Sequence, residues 1–161
     1  MEVRDFNALP EDDATTLVSG CLGVPRWATE VVHGRPYADA TALRKQAHEA
    51  ALHLSDDELA AALSRHPRIG ERPDGADEES RMSRSEQSGV AATDVARLRS
   101  GNAAYEARFG HVFLVRAAGR SSGEILAELE RRLANDEAAE RAETVTALRD
   151  IALLRLEGLV R

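Results

Sequence analysis

Only one cysteine occurs in 161 residues, Cys21, and its neighbours are Gly20 and Leu22. A lone thiol excludes an intrachain disulfide framework, and with no second cysteine beside it there is no paired-thiol redox or metal motif. Cys21 therefore reads as a small core hydrophobe in a reducing compartment. Aromatic residues are scarce as well, at 4 %. No basic stretch carries interleaved aromatics, which argues against a nucleic-acid partner. No apolar run approaches the roughly 20 residues needed to span a membrane. The opening MEVRDFNALPEDD lacks the basic-then-apolar order of a secretory leader, and the closing LVR is not the peroxisomal tripeptide. The expectation is a cytoplasmic protein with no membrane partner. A phosphate loop, GxGxxG and GxSxG are all missing, and no HxxxH or HxxE spacing puts two ligands on one helical turn, so no metal site is expected.

What the chain does have is helix-forming substance. Hydrophobic residues make up 43 %, a globular share, and Ala, Leu, Arg and Glu are abundant. The net charge of -7 comes from interleaved acids and bases. The length fits one domain, residues 1–161, with a single sizeable core. Pro10 precedes EDDATTLVSG, a helix that Gly20 or Gly23 ends. Pro25 starts a second over PRWATEVVHG. Asp39 caps a third that runs on to Leu54, with Leu43, Ala47, Ala50 and Leu54 on one stripe. Ser55 and Glu58 form a capping box for DDELAAALSRH. Residues 67–81 read as a loop, rich in proline, glycine and acids. A long helix is predicted from about Ser83 to Phe109, ended by Gly110. HVFLVRAAGRS is too apolar for a surface loop and too short for a helix, which makes it an extended, buried connector. Ser121 and Glu124 form another capping box, and a last helix runs from about Asp136. The fold class is an all-α, single-domain bundle.

Three polar side chains break the apolar helical faces. Leu59, Leu63 and His66 stand at i, i+4 and i+7, so His66 extends a buried stripe, and Pro67 restricts its backbone to extended geometry. The imidazole either bonds terminal carbonyls or is held in a fixed direction for a ligand. Arg155 shares a stripe with Leu148, Ile151 and Leu159. A guanidinium there needs an acceptor, either an internal carboxylate or a bound anion. In SRSEQ, Ser83 and Glu86 fit a capping box, while Ser85 can cap instead and leave Glu86 and Gln87 beside the free amides of the first turn. His33, His48 and His53 read as surface residues, and His111 as a cap or local hydrogen-bonding group. One inward histidine, one inward arginine and one helix-terminal glutamate suggest acid–base chemistry on a small anion.

Four segments in order carry a further signal: HPRIGE (His66 to Glu71), SRSEQSG (Ser83 to Gly89), NAAYEARFGHVFLVRAAGRS (Asn102 to Ser121) and LRLEGLV (Leu154 to Val160). Together they resemble the 2-oxo-4-hydroxy-4-carboxy-5-ureidoimidazoline (OHCU) decarboxylase family of uric acid degradation, over nearly the whole chain. HPRIG stands where many relatives have HPDL, and the loop from Arg72 to Arg81 is this chain's own. The resemblance implies an all-α, homodimeric, cofactor-free carboxy-lyase that acts on OHCU, a small-molecule substrate, to make (S)-allantoin. It implies that His66 and Glu86 are catalytic. It also implies that Pro67, Ser83, Arg84, Ser85, Glu86, Gln87, the Phe113, Leu114, Val115, Arg116 and Ala117 backbone, and Arg155 contact the substrate. Two competing expectations are a non-catalytic helical interaction module and a lyase or hydrolase acting on a different ureido compound.

Overall fold

A computed structural model describes residues 1–71, 81–82 and 94–161. The regular elements described there are helices, in the order α1 (Val3–Ala8), α2 (Glu11–Leu22), α3 (Pro25–His33), α4 (Ala40–Ala50), α5 (Asp56–Ser64), α6 (Val95–Phe109), α7 (Ser122–Leu133) and α8 (Glu137–Leu159). The chain divides into two compact units, one made of Met1–Ala62 with Arg149–Arg161, the other of Leu63–Leu148. The all-α expectation holds. The loop expected over 67–81 and the start of the helix expected at Ser83 lie largely outside the described residues.

In the first unit, local chemistry sets most helix ends. Glu11, Asp12 and Asp13 put carboxylates on the electropositive first turn of α2. Gly23 ends that helix at φ 75, donating its N–H to the Ser19 carbonyl. Pro25 occupies the first position of α3, where its missing N–H costs nothing. The Asp39 carboxylate accepts from the Ala42 amide at 2.8 Å and starts α4. Leu43, Ala47, Ala50 and Leu54 are all buried as their stripe requires. The helix nevertheless stops at Ala50, short of the expected Leu54. Arg26 explains the early stop. Its guanidinium takes the carbonyls of Ala50 at 3.2 Å and His53 at 3.3 Å, and a continuing helix would have spent the first of these on the Leu54 amide. The same guanidinium forks onto Glu58 at 2.7 and 3.1 Å. Glu58 meanwhile closes the capping box, with Ser55 and Glu58 bonding reciprocally at 2.9 and 3.2 Å. The short α1 had no sequence signal of its own; its Phe6 is completely buried.

In the second unit, α6 ends at Gly110 with φ 76, a left-handed conformation that glycine adopts without a Cβ penalty. Residues 112–117 follow without helix, and Phe113, Leu114, Val115 and Ala117 are buried, so the connector is non-helical and buried as expected. Ser121 and Glu124 complete the capping box of α7. Ile69, Leu98, Tyr105, Phe113, Val115, Ala117, Ile125, Leu126 and Leu129 form one apolar cluster. Helix α6 lies on α7 at bare backbone, since a Cβ on Gly101 would fall 2.3 Å from Leu129 Cδ2.

At the surface of this unit Arg131 joins Glu128, at 2.7 Å, to Glu143. The guanidinium, helped by Asn135, lowers the Glu143 carboxyl to about 2. In the unfolded chain the same carboxyl titrates near 4.3. Its contribution to stability is therefore complete above about pH 5 and disappears as pH falls towards 2. Thermal melts between pH 7 and pH 2 should show this acid arm, and Glu143→Gln should make it shallower while leaving the helical circular dichroism at pH 7 unchanged.

Candidate functional site

The site begins where α5 runs out. Leu59, Leu63 and His66 are 8, 4 and 8 % exposed, so the stripe does carry the imidazole inward. The His66 amide donates to the Leu63 carbonyl at 3.1 Å, a tightened last turn, and Pro67 forbids another. The HPRIG turn is then pinned to α6 at two points. Arg68 forks onto Glu106 at 2.6 and 3.1 Å. One residue further, the Ile69 carbonyl accepts from Asn102 Nδ2 at 2.9 Å, in a buried setting. Asn102 itself is only 3 % exposed. A backbone so clamped lets the His66 side chain keep one direction. Beside the turn is a cleft of about 240 Å³, lined in part by Arg68, Gly70, Arg99, Asn102 and Glu106.

The connector supplies the second component. Arg132 on α7 is 2 % exposed and points into the unit. It donates to the Leu114 carbonyl, and its guanidinium carbon stands 4.9 Å from the centre of the Phe113 ring. Glu140, 1 % exposed, neutralises it through a fork. The Thr144 hydroxyl accepts from Arg132 at 3.1 Å, while Tyr105 OH and Asn135 Nδ2 donate to Glu140. Burial, followed by the Glu140 carboxylate, pushes the Tyr105 phenol well above its ordinary range. His111 donates locally, from Nδ1 to the Val112 carbonyl at 3.0 Å, and lies edge-on to Tyr105.

Among the expected site residues, His66, Pro67 and Phe113 to Ala117 therefore belong to one unit, and Ile69, Phe113, Val115 and Ala117 share its apolar cluster. Arg116 alone in the connector is exposed. Ser83, Arg84, Ser85, Glu86 and Gln87 lie outside the described residues. Arg155 belongs to the other unit and is buried as its stripe predicts. Two of its bonds run to the Gly20 and Cys21 carbonyls at 3.4 and 3.5 Å, at the C-terminal end of α2. Among the described residues no group of three or more His, Cys, Asp and Glu stands close enough to hold a metal ion. Asn102, Arg132 and Glu140 were not singled out in the sequence. Asn102 had a usable signal, because Leu98, Asn102 and Tyr105 repeat the i, i+4, i+7 spacing of the His66 stripe.

Comparisons with known proteins bear on the family and the fold. The family model described as OHCU decarboxylase matches residues 7–157, across both units. The 2-oxo-4-hydroxy-4-carboxy-5-ureidoimidazoline decarboxylase of Amia calva is 29 % identical, over all of this chain and 95 % of its own. A uric acid degradation bifunctional protein of Bacillus sp. (strain TB-90) is 23 % identical over all of this chain, which spans 32 % of that longer protein. A crystal structure of OHCU decarboxylase in the presence of (S)-allantoin superposes with a TM-score of 0.73 at 22 % identity, covering 88 % of this chain and 94 % of that one. This likeness shows the shared fold.

The clamp on the turn can be tested by itself. Asn102→Leu keeps the volume but orphans the buried Ile69 carbonyl, a loss of about 1–3 kcal/mol. Asn102 Oδ1 is buried with no hydrogen-bond partner, so removing it offsets part of that loss. The expected net result is a lower urea midpoint with an unchanged helical spectrum. A midpoint equal to wild type would show that the bond to Ile69 contributes nothing.

Proposed function

The chain belongs to the OHCU decarboxylase family, and from that premise we infer that it removes CO2 from 2-oxo-4-hydroxy-4-carboxy-5-ureidoimidazoline to leave (S)-allantoin, a step in uric acid degradation. The observation that carries this reading is the match of the family model over residues 7–157, which includes the buried His66 of the HPRIG turn. The interaction-module alternative gives way to an enzyme, a carboxy-lyase. Family membership also supports one domain over the whole chain and a cytoplasmic homodimer.

The chemistry fits a protein that brings only side chains and amides. Breaking the carboxylate bond leaves an electron pair on carbon 4, which moves into the adjacent carbon–nitrogen double bond. The substrate thus contains its own electron sink, and we infer that no cofactor is needed. The protein then has to hold the carboxylate, polarise the sink and place one proton on one face of carbon 5. His66 is the proposed proton donor, since imidazole titrates near neutrality and this one is fixed in direction. Glu86 is the proposed partner that selects its tautomer and favours the imidazolium. Pro67, the Ser83–Gln87 turn and the Phe113–Ala117 backbone are the proposed contacts to the ring and ureido group, and Arg155 the proposed planar fork on an anionic oxygen.

Urate, an oxidase and a hydrolase generate the substrate in a polarimeter cell, and this protein should accelerate the appearance of one enantiomer of allantoin. His66→Asn should abolish nearly all of that acceleration while melting close to wild type. Substantial residual turnover would remove His66 from the chemistry. Arg155→Lys keeps the charge but loses the fork, and should weaken substrate binding by about 1.5–3 kcal/mol. A normal KM together with a lowered melting temperature would assign Arg155 to the end of α2 instead.

A further inference from the structure

Arg132 and Glu140 are not among the residues that the resemblance assigns to the substrate, yet the connector depends on them. The Leu114 carbonyl is bonded to Arg132, and the Leu114–Val115 peptide is trans. A trans peptide sets its carbonyl and its amide hydrogen on opposite edges, so fixing the oxygen on Arg132 turns the Val115 N–H away from the ion pair. Among the described residues, none of the amides from Phe113 to Ala117 donates a hydrogen bond, although Phe113, Leu114, Val115 and Ala117 are 1–6 % exposed. Buried N–H groups are almost always spent. A run of unspent donors at the connector is what a ligand with several oxygen acceptors would use.

We propose that Arg132, held in place by Glu140, is a positioning residue that orients the Leu114–Val115 peptide so that the Val115 N–H donates to an oxygen of the substrate. The proposal rests on the reading that the connector contacts the substrate. Arg132 touches only the peptide's far edge, and Glu140 keeps the guanidinium from turning elsewhere. All three guanidinium nitrogens are engaged: Nε and Nη2 on Glu140, Nη2 also on Thr144, and Nη1 on Leu114. Phe113 packs against its face. Neither residue moves a proton, so their effect belongs in substrate binding rather than in the pH dependence of turnover.

Three variants test this. Arg132→Met combined with Glu140→Gln removes both charges, keeps a carbonyl acceptor for Tyr105 and Asn135, and releases the Leu114 carbonyl. Replacing Val115 by its α-hydroxy acid exchanges the N–H for an ester oxygen and leaves the side chains alone. Tyr105→Phe removes one bond to Glu140 and leaves Arg132 on Leu114, as a control for stability. The double variant and the ester should each raise KM for the substrate about tenfold or more, with the pH midpoint of kcat unmoved; Tyr105→Phe should lower the melting temperature with KM near wild type. A raised KM in the ester with a wild-type KM in the folded double variant overturns the role of Arg132 and leaves the connector reading standing. A wild-type KM in the ester overturns the connector reading, and the proposal with it. If the double variant does not fold, Arg132→Lys decides: a single ammonium cannot span Glu140 and Leu114 together, and a wild-type KM there overturns the proposal.

Discussion

A charge pair sealed in an apolar interior governs the second unit. Arg132 and Glu140 are 2 and 1 % exposed, and taking two ions out of water costs several kcal/mol each before any contact is made. Such a pair persists only when the remaining donors and lone pairs are filled. Here they are filled from four directions: Tyr105 on α6, Thr144 and the Glu140 partner on α8, Asn135 at the α7–α8 turn, and the Leu114 carbonyl on the connector. Removing one partner of a buried pair costs about 3–5 kcal/mol, enough to threaten a domain whose whole stability is about 5–15 kcal/mol. The network therefore sets the geometry of everything it touches. The connector, residues 112–117, is non-helical and has no helical hydrogen bonds of its own to hold its shape.

The turn after α5 is held by a different principle. There the constraint is sequential: Arg26 and the capping box set where α5 starts, the apolar stripe sets its rotation, and Pro67 sets where it stops. His66 inherits its direction from the end of that helix and from Pro67. The clamps from α6 then hold the segment beyond it, through Arg68 with Glu106 and Asn102 with Ile69. Of these the Asn102 bond matters more, because the Arg68 side chain is 47 % exposed and exposed ion pairs contribute little. A buried amide-to-carbonyl bond has no water to replace it.

Much of this could be read from the chain because the signals were local. Asp39, Ser55 with Glu58, Ser121 with Glu124, and Gly110 each announced a helix boundary through chemistry within four residues, and each sits where it was expected. His66 and Arg155 stood out because a polar residue interrupting a 3.6-residue period is visible without a partner. What could not be read was pairing over distance. The end of α4 depended on Arg26, 24 residues away from the carbonyl it takes, so the apolar stripe alone carried the helix too far. Helix α1 is six residues long, too short to show a period. Two backbone partners of Arg155 were equally hidden, since helix-end carbonyls 134 and 135 residues away have no side-chain signature.

Arg131 and Arg132 show this limit most sharply. They are adjacent, identical and within one amphipathic helix, and nothing in the residues themselves separates them. A rotation of 100° per residue does. Arg131 is 51 % exposed and shared between Glu128 and Glu143 at the surface, where solvent and salt screen most of the attraction. Arg132 falls on the face of Ile125, Leu126 and Leu129, with its whole length inside. The same functional group is thus a replaceable solvated charge at one position and a fixed point at the next. Deciding between the two requires knowing that a carboxylate on another helix, eight residues on, waits at the depth the guanidinium reaches. Tertiary depth, rather than residue type or spacing, separates an arginine that decorates a helix from one that can hold a backbone carbonyl in place.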